Sequence, residues 1–130
     1  MACGGLKSAE RKIDTNLLNR HHSVRVTDFA MECQNYLKNV FLKSGKSLDV
    51  RIGIHSGPII SGVVGETKPQ FSLIGPTINK TARVCSKCPP RKILISKETH
   101  KALQASASNF IFGSMKADMK GIGQEEVFTV

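Results

Sequence analysis

The residue pair Asn79 and Arg83 combines an amide with a guanidinium, two side chains that can bind an anion. The two residues are four positions apart in a segment that we predict to be helical, so both side chains project from the same helix face. The guanidinium of an arginine is planar and permanently charged, which suits it to this task. An exposed Arg and a helical Asn more often have no such function, so the flanking residues must support the interpretation.

Other residue combinations fail as functional motifs. The segment Gly45–Ser47 looks like the end of a phosphate-binding loop, but Val40 occupies the position where that motif requires glycine. Cys85 and Cys88 form a single CxxC pair, whereas a structural zinc site needs four ligands. His55 lies on the polar side of a predicted strand, where a hydrogen-bonded structural histidine is more frequent than a catalytic one. We therefore assign no site to these residues.

The first half of the chain predicts one helix and two strands. Apolar residues recur at steps of three and four positions from Val24 to Leu42, the pattern of an amphipathic helix. Ser23 is its predicted N-cap and Gly45 its predicted stop. The segment Leu48–Ile54 alternates apolar and polar residues, which predicts a strand. The segment Ile59–Val64 is predicted to return beside that strand as a hairpin.

The second half predicts further alternation of strands and helices. Its predicted elements are a strand at Phe71–Ile74, a helix from Pro76 to about Lys87, a strand at Lys92–Ile95, a helix capped by Ser96 that runs through Leu103, and a closing hairpin within Met115–Val130. Strands and helices joined by short turns predict a single α/β or α+β sheet with helices packed on one face.

Composition narrows the class of protein. Hydrophobic residues make up 40% of the chain, which predicts a folded core. Lys and Arg number 19 against 10 Asp and Glu, and this net charge of +9 favours a polyanionic partner. The basic residues are spread along the chain, however, and the aromatic pattern of RNA-binding sheets is missing. Apolar runs are too short for a membrane span, and the cysteines are predicted to be reduced cytosolic thiols.

Three segments around the Asn79–Arg83 pair give the interpretation its support. They are Val50–Pro58, Gly62–Gly65 and Phe71–Asn79, and Arg83 follows four residues later. In order and spacing they strongly resemble the catalytic domain of the class III nucleotide cyclases. The resemblance continues to the closing segment Lys120–Val130. Smaller details resemble protist cyclases fused to P-type ATPase-like membrane regions, which is compatible with a membrane-attached parent protein.

The resemblance implies a fold, a reaction and a set of site residues. It implies a ferredoxin-like cyclase sheet that converts ATP or GTP into a 3′,5′-cyclic nucleotide and pyrophosphate. Asn79 would orient the ribose and Arg83 would stabilise the α-phosphate in the transition state. Ser72, Thr77 and Lys120 would contact the substrate. A serine hydroxyl can donate to guanine or accept from adenine, so Ser72 leaves the choice of base open.

The resemblance also implies that another segment or subunit supplies the metal-binding residues. In the family, two aspartates hold two Mg²⁺ or Mn²⁺ ions, and both precede the segment that matches Met1 to Leu6. We therefore expect residues 1–130 to be the C-terminal two-thirds of a cyclase domain, without its first strand, first helices and metal-binding hairpin. A second cyclase domain, identical or different, would supply the metals. Exposed apolar surface is expected as well.

Two departures from the family pattern leave alternatives open. Pro76 replaces a polar residue beside the catalytic loop, and Ile122 stands where a second lysine would reach the triphosphate. A catalytically inactive pseudocyclase that acts in dimerisation or regulation is therefore the first alternative. A basic nucleic-acid-binding domain is the second, although nucleic acid is not the partner that we predict. The expected location is the cytoplasm or the cytosolic face of a membrane.

Overall fold

The computed structural model describes residues 1–6, 20–106 and 108–130. The described residues form three helices and six strands, which confirms the mixed α and β class. In chain order these are α1 (His22–Leu37), β1 (Ile52–Ile54), β2 (Ile60–Val64), β3 (Gln70–Ile74), α2 (Pro76–Lys87), β4 (Ile93–Ser96), α3 (Lys97–Ala105), β5 (Gly113–Met119) and β6 (Gly123–Thr129).

The strands form two sheets rather than the predicted single sheet. The main sheet has the order β1-β4-β6-β5, in which β1 is parallel to β4 and the remaining pairs are antiparallel. Strands β2 and β3 form a separate antiparallel hairpin. The predicted pairing of β2 with the strand before it was therefore wrong. The Gly57-Pro58 segment carries the chain out of the main sheet, and the Thr77 hydroxyl donates to the Pro58 carbonyl and holds it there.

The helices pack on both faces of the main sheet, not on one face as predicted. All four residues of β4 are buried. Ile93 and Ile95 join a core cluster with residues of α1 and α3, whereas Leu94 joins a second cluster with Val84 of α2. Because successive side chains of a strand point to opposite faces, these clusters lie on opposite sides of the sheet. An uninterrupted apolar run is typical of a strand covered on both faces.

Helix α1 is shorter than the predicted helix Val24–Leu42. It begins at His22, and its N-cap is His21 rather than Ser23, because the His21 side chain accepts a hydrogen bond from the Ser23 backbone. The helix ends at Leu37, and Phe41 and Ser47 then form an isolated antiparallel bridge. The strand predicted at Leu48–Ile54 is also shorter than expected, because only Ile52–Ile54 form β1. The residues between α1 and β1 form some of their backbone hydrogen bonds within this turn, so they extend neither the helix nor the strand.

Predictions that rested on local signals were confirmed. Helix α2 begins at Pro76, as expected for a proline in a first turn. The Ser96 side chain caps α3 by accepting a hydrogen bond from the Thr99 backbone. Gly121 and Gly123 have φ angles of 79° and 92°, the left-handed conformation that the β5–β6 turn requires.

The β2–β3 hairpin carries much of the exposed apolar surface that was expected. Its exposed large side chains are Ile60, Val63, Val64, Phe71 and Ile74. Among the described residues, no helix combines the length and the apolar character that a membrane span needs.

Helix α2 approaches β1 so closely that position 53 has no room for a side chain. A Cβ atom built on Gly53 would lie 2.4 Å from both Cα and N of Cys85. Such a contact is with backbone, so it cannot be relieved by rotating a side chain. Glycine at this position therefore allows α2 to lie directly on the sheet.

Gly53→Ala is expected to lower the free energy of unfolding by about 3 kcal/mol, because α2 must move away from β1. Gly62→Ala is the matched control, since a Cβ atom on Gly62 would meet nothing within 4 Å. Urea unfolding followed by circular dichroism measures both. Equal stability of the two variants would contradict the close packing of α2.

Candidate active site

Helix α2 presents Asn79 and Arg83 one turn apart. Asn79 is exposed and Arg83 is half-buried, while Val84 on the inner side of the helix is fully buried. The helix follows β3 directly through Gly75, whose φ of 138° makes the sharp turn between the two elements. The geometry thus leaves the Asn79 and Arg83 side of α2 open to a ligand.

The Arg83 guanidinium lies beside the β5–β6 turn. A Cβ atom built on Gly121 would lie 3.9 Å from Arg83 Nη1. Lys120, the residue before Gly121, is exposed in the same turn. The tertiary structure therefore brings Arg83 next to the turn that carries Lys120, although the two residues are far apart in sequence. Two cations at one surface favour the binding of a phosphate group.

Thr77 is buried, and its hydroxyl holds the start of α2. Its Oγ1 donates to the Pro58 carbonyl oxygen at 2.6 Å. A Cβ atom on Gly57 would lie 2.6 Å from the same Oγ1, so this contact also requires glycine in the preceding segment. The predicted substrate contact of Thr77 stays a prediction, because in this structure its hydroxyl bonds to the protein backbone.

Ser72 lies on β3, opposite Gly62 of β2. Its side chain is half-buried, and within the described part of the chain its hydroxyl has no hydrogen-bond partner. The hydroxyl is therefore available to a ligand. Its predicted contact with the substrate stays a prediction.

Lys80, the residue after Asn79, connects α2 to α3 and β6 through salt bridges. Its Nζ lies 2.9 Å from an oxygen of Glu98 on α3 and 2.9 Å from an oxygen of Glu125 on β6. The side chain is 16% exposed. Burial opposes its positive charge, but the hydrogen bonds to the two carboxylates dominate and raise the pKa of Lys80. The sequence analysis missed this network because its members are 18 and 45 residues apart.

His55 lies at the end of β1, next to this network. Its Nδ1 is 2.8 Å from Ser96 Oγ and 3.7 Å from Glu98 Oε2, and its side chain is 6% exposed. The prediction of a hydrogen-bonded histidine is confirmed. Burial lowers the pKa of His55 below its ordinary value of 6.5, Lys80 acts in the same direction, and Glu98 and Glu125 oppose it. The folded protein therefore favours the neutral imidazole.

The described residues do not fit a metal site. Among residues 1–6, 20–106 and 108–130, no group of three or more His, Cys, Asp or Glu side chains is placed to hold an ion. Cys85 Sγ donates to the Arg51 carbonyl at 3.7 Å, and Cys88 Sγ donates to the Lys92 carbonyl at 3.1 Å. Burial raises the pKa of the Cys88 thiol, which disfavours the thiolate that a metal requires.

Comparison with known proteins assigns this chain to a protein family. The sequence profile of the adenylate and guanylate cyclase catalytic domain matches residues 1–130. The chain belongs to this family. It is 37% identical over 84 residues to the rat guanylate cyclase soluble subunit beta-2, and 32% identical over 110 residues to rat guanylate cyclase 2D. These matches cover 64% and 82% of the chain but only 12% and 10% of the relatives.

Solved structures agree with the cyclase family. The guanylate cyclase domain of RhGC from Catenaria anguillulae, in complex with GTP, is similar to 84% of this chain with a TM-score of 0.75 and 29% identity. The match covers 59% of that domain. The guanylyl cyclase Cya2 has a TM-score of 0.72 at 22% identity, which supports the fold alone. The ferredoxin-like cyclase fold expected from the sequence is confirmed.

One cavity of this cyclase-family chain lies apart from most of the predicted catalytic surface. It has a volume of about 960 Å³ and is bordered by α1, β1, α2 and the β2–β3 hairpin. Thr77 is among its lining residues, whereas the other predicted site residues, Ser72, Asn79, Arg83 and Lys120, are not. The predicted catalytic residues Asn79 and Arg83 therefore lie outside this cavity.

The two departures from the cyclase pattern are visible at this surface. Pro76 is the first residue of α2, and its N-cap residue, Gly75, makes no side-chain cap. The hydrogen bond from Thr77 to the Pro58 carbonyl holds the start of the helix instead. Ile122 is an exposed apolar residue in the β5–β6 turn near Arg83. The turn therefore contributes one lysine, Lys120, and one apolar side chain.

His55 is expected to make stability depend on pH. Because its pKa is lowered in the folded protein, the unfolded chain takes up the proton first, so stability falls as the pH decreases below 6.5 toward the folded pKa. His55→Gln removes this titration, and we expect it to flatten the dependence between about pH 5 and pH 8. Urea midpoints across this range measure the effect. His100→Gln is the control, and an unchanged slope in His55→Gln would contradict the assignment.

Lys80→Met is expected to lower the free energy of unfolding by about 1–2 kcal/mol, because Glu98 and Glu125 lose the cation that they share. Lys87→Met, an exposed change on the same helix, is expected to stay within about 0.5 kcal/mol of the parent. Urea unfolding at neutral pH compares the two. Similar losses in both variants would show that the network does not stabilise the fold.

Proposed function

We propose that this chain is the C-terminal part of a cyclase catalytic domain that forms a 3′,5′-cyclic nucleotide from ATP or GTP when paired with a second cyclase domain. The observation that carries the proposal is the position of the Arg83 guanidinium, one helical turn from Asn79 and beside the turn that carries Lys120. Membership of the cyclase family supports the reaction class.

The reaction needs orientation and charge stabilisation. The ribose 3′-oxygen attacks the α-phosphorus, the 3′-hydroxyl loses its proton, and the bond from the α-phosphorus to the pyrophosphate oxygen breaks. Negative charge develops on the α-phosphate oxygens. Arg83 stabilises this charge with a planar, permanently charged group that is held before the reaction begins. Asn79 orients the ribose so that the 3′-oxygen lies in line with the leaving pyrophosphate.

The other predicted residues complete the binding surface. Lys120 binds the triphosphate, and the available hydroxyl of Ser72 contacts the purine. We assign Thr77 the task of fixing the start of α2, since a direct contact with substrate would require its hydroxyl to leave Pro58. The choice between ATP and GTP is left to the assay, because a hydroxyl at position 72 suits either base.

A second cyclase domain would supply what the described residues lack. Hard divalent ions such as Mg²⁺ and Mn²⁺ prefer carboxylate ligands, and we propose that aspartates of that domain hold them. The partner is identical to this chain's parent protein or related to it. The chain covers 59% of the Catenaria domain, which supports the proposal that residues 1–130 form part of a larger catalytic unit. We expect the assembly in the cytoplasm or at the cytosolic face of a membrane.

A regulatory pseudocyclase is the second candidate function. The exposed Ile122 in the turn beside Arg83 favours it, because an apolar side chain there cannot bind the triphosphate. In this case the chain would retain the dimerisation surface, including the apolar β2–β3 hairpin, and act on the activity of its partner.

Complementation distinguishes the two functions. The chain is mixed with a cyclase half that bears both metal-binding aspartates, and cyclic AMP and cyclic GMP are measured with Mg²⁺ or Mn²⁺. Product is expected from the mixture, and Arg83→Ala is expected to reduce its rate about 100-fold, the cost of losing one preorganised transition-state donor. Lys87→Ala on the same helix is the control and should retain the rate.

Two outcomes would contradict the proposal of catalysis. If association is detected without product, the chain acts as a pseudocyclase. If product forms at the same rate with Arg83→Ala, catalysis does not use this surface.

A further inference from the structure

Two segments that are distant in sequence meet at one end of the main sheet. We call residues 36–51 and 87–92 the basic tip. The Arg91 side chain contacts Asp49 and Ser47, and its backbone nitrogen donates to the Val50 carbonyl at 3.1 Å. Gln34 of α1 joins the segments by donating to the carbonyls of Val50 and Lys92. The tip is therefore a single connected surface.

The tip lies away from the start of α2. It precedes the first residues of β1 and β4 and includes Lys87, the last residue of α2. Asn79 lies eight residues earlier on that helix, at a distance of about 12 Å along its axis. A partner bound at the tip would thus leave the Asn79 side of α2 accessible.

Most of the net charge of the protein is concentrated in the tip. Its two segments contain seven basic residues and a single acidic residue, Asp49. All seven are exposed, and they are Lys38, Lys43, Lys46, Arg51, Lys87, Arg91 and Lys92. Asp49 pairs with Arg91. Within the described part of the chain, no carboxylate forms a salt bridge with the other six. The tip therefore carries a net charge of +6 of the total of +9.

Large apolar side chains are exposed within the same surface. Tyr36 is 75% exposed, Phe41 62% and Leu42 51%. The turn that carries Phe41 and Leu42 is held by backbone hydrogen bonds from Leu42 to Lys46 and from Gly45 to Leu42, both 2.8 Å long. Gly45 has a φ of 80°, which this turn requires. Exposed apolar side chains thus lie among lysines that form no salt bridge within the described part of the chain.

We propose that the basic tip binds an anionic lipid surface. Exposed lysines attract the headgroups of anionic lipids, and adjacent aromatic and aliphatic side chains enter the interface between headgroups and acyl chains. An aliphatic residue such as Leu42 gains nothing from a nucleic-acid backbone, which favours lipid over nucleic acid as the polyanion. Each lysine near such a surface strengthens binding about fivefold.

Vesicle flotation tests whether the basic residues of the tip bind anionic lipid. The full 130-residue chain is incubated with phosphatidylcholine vesicles that contain or lack phosphatidylserine. Binding is expected only with phosphatidylserine and should weaken with added salt. The double variant Lys43→Glu, Lys46→Glu should reduce the partition coefficient at least about 30-fold, since two favourable charges are lost. Lys97→Glu, Lys101→Glu on α3 makes the same charge change elsewhere and should retain binding.

Fluorescence tests the insertion of Phe41. The chain has no tryptophan, so Phe41→Trp introduces a single reporter. Its emission is expected to shift to shorter wavelength with phosphatidylserine vesicles. Phe71→Trp on the exposed β2–β3 hairpin is the matched control and should not shift. Far-UV circular dichroism and thermal melts establish that all variants fold.

Three outcomes would overturn the proposal. Equal binding to vesicles without phosphatidylserine would indicate nonspecific apolar adsorption. An equal loss of vesicle binding in the α3 control variant would show that the total charge of the protein, and not the tip, attracts the lipid. Failure to bind vesicles combined with salt-dependent binding of RNA or DNA would make the tip a nucleic-acid surface instead.

Discussion

The contact between helix α2 and strand β1 at Gly53 is the constraint on which the rest of the site depends. No side chain fits between the two elements at this position, so the helix backbone rests directly on the sheet. Thr77 holds the first turn of α2 to Pro58, and Cys85 near the other end lies against Gly53. Because a helix is nearly rigid between two fixed points, these contacts also determine where its intervening side chains stand.

The basic residues Lys80 and Arg83 of α2 have different surroundings. The Lys80 charge is compensated by Glu98 and Glu125, so it ties α2 to the elements behind it. Arg83, three residues later, lies beside the β5–β6 turn and has no carboxylate partner within the described part of the chain. Its charge is therefore available to an anion. Neighbouring cations on one helix thus have different partners because they face different elements.

The sequence predictions were correct where a feature depends on residues close in sequence, and wrong where it depends on residues far apart in the chain. The start of α2 at Pro76, the Ser96 cap of α3 and the glycines of the last hairpin were predicted correctly, because each depends on residues within a few positions. The partner of β2 was predicted wrongly, because strand pairing depends on residues elsewhere in the chain. The end of α1 was also wrong, since the turn at Phe41–Ser47 competes with the apolar periodicity of the helix.

Short motifs and local periodicity were enough to identify the cyclase family, the candidate site residues and most of the element types. Which side chains contact one another became clear only from the three-dimensional fold. It brought Arg83 to the turn of Lys120, joined Lys80 to two distant glutamates, and gathered basic residues that look scattered in sequence into one tip. These juxtapositions follow from the parallel pairing of β1 with β4 and the packing of helices on both sheet faces, which no local pattern specifies.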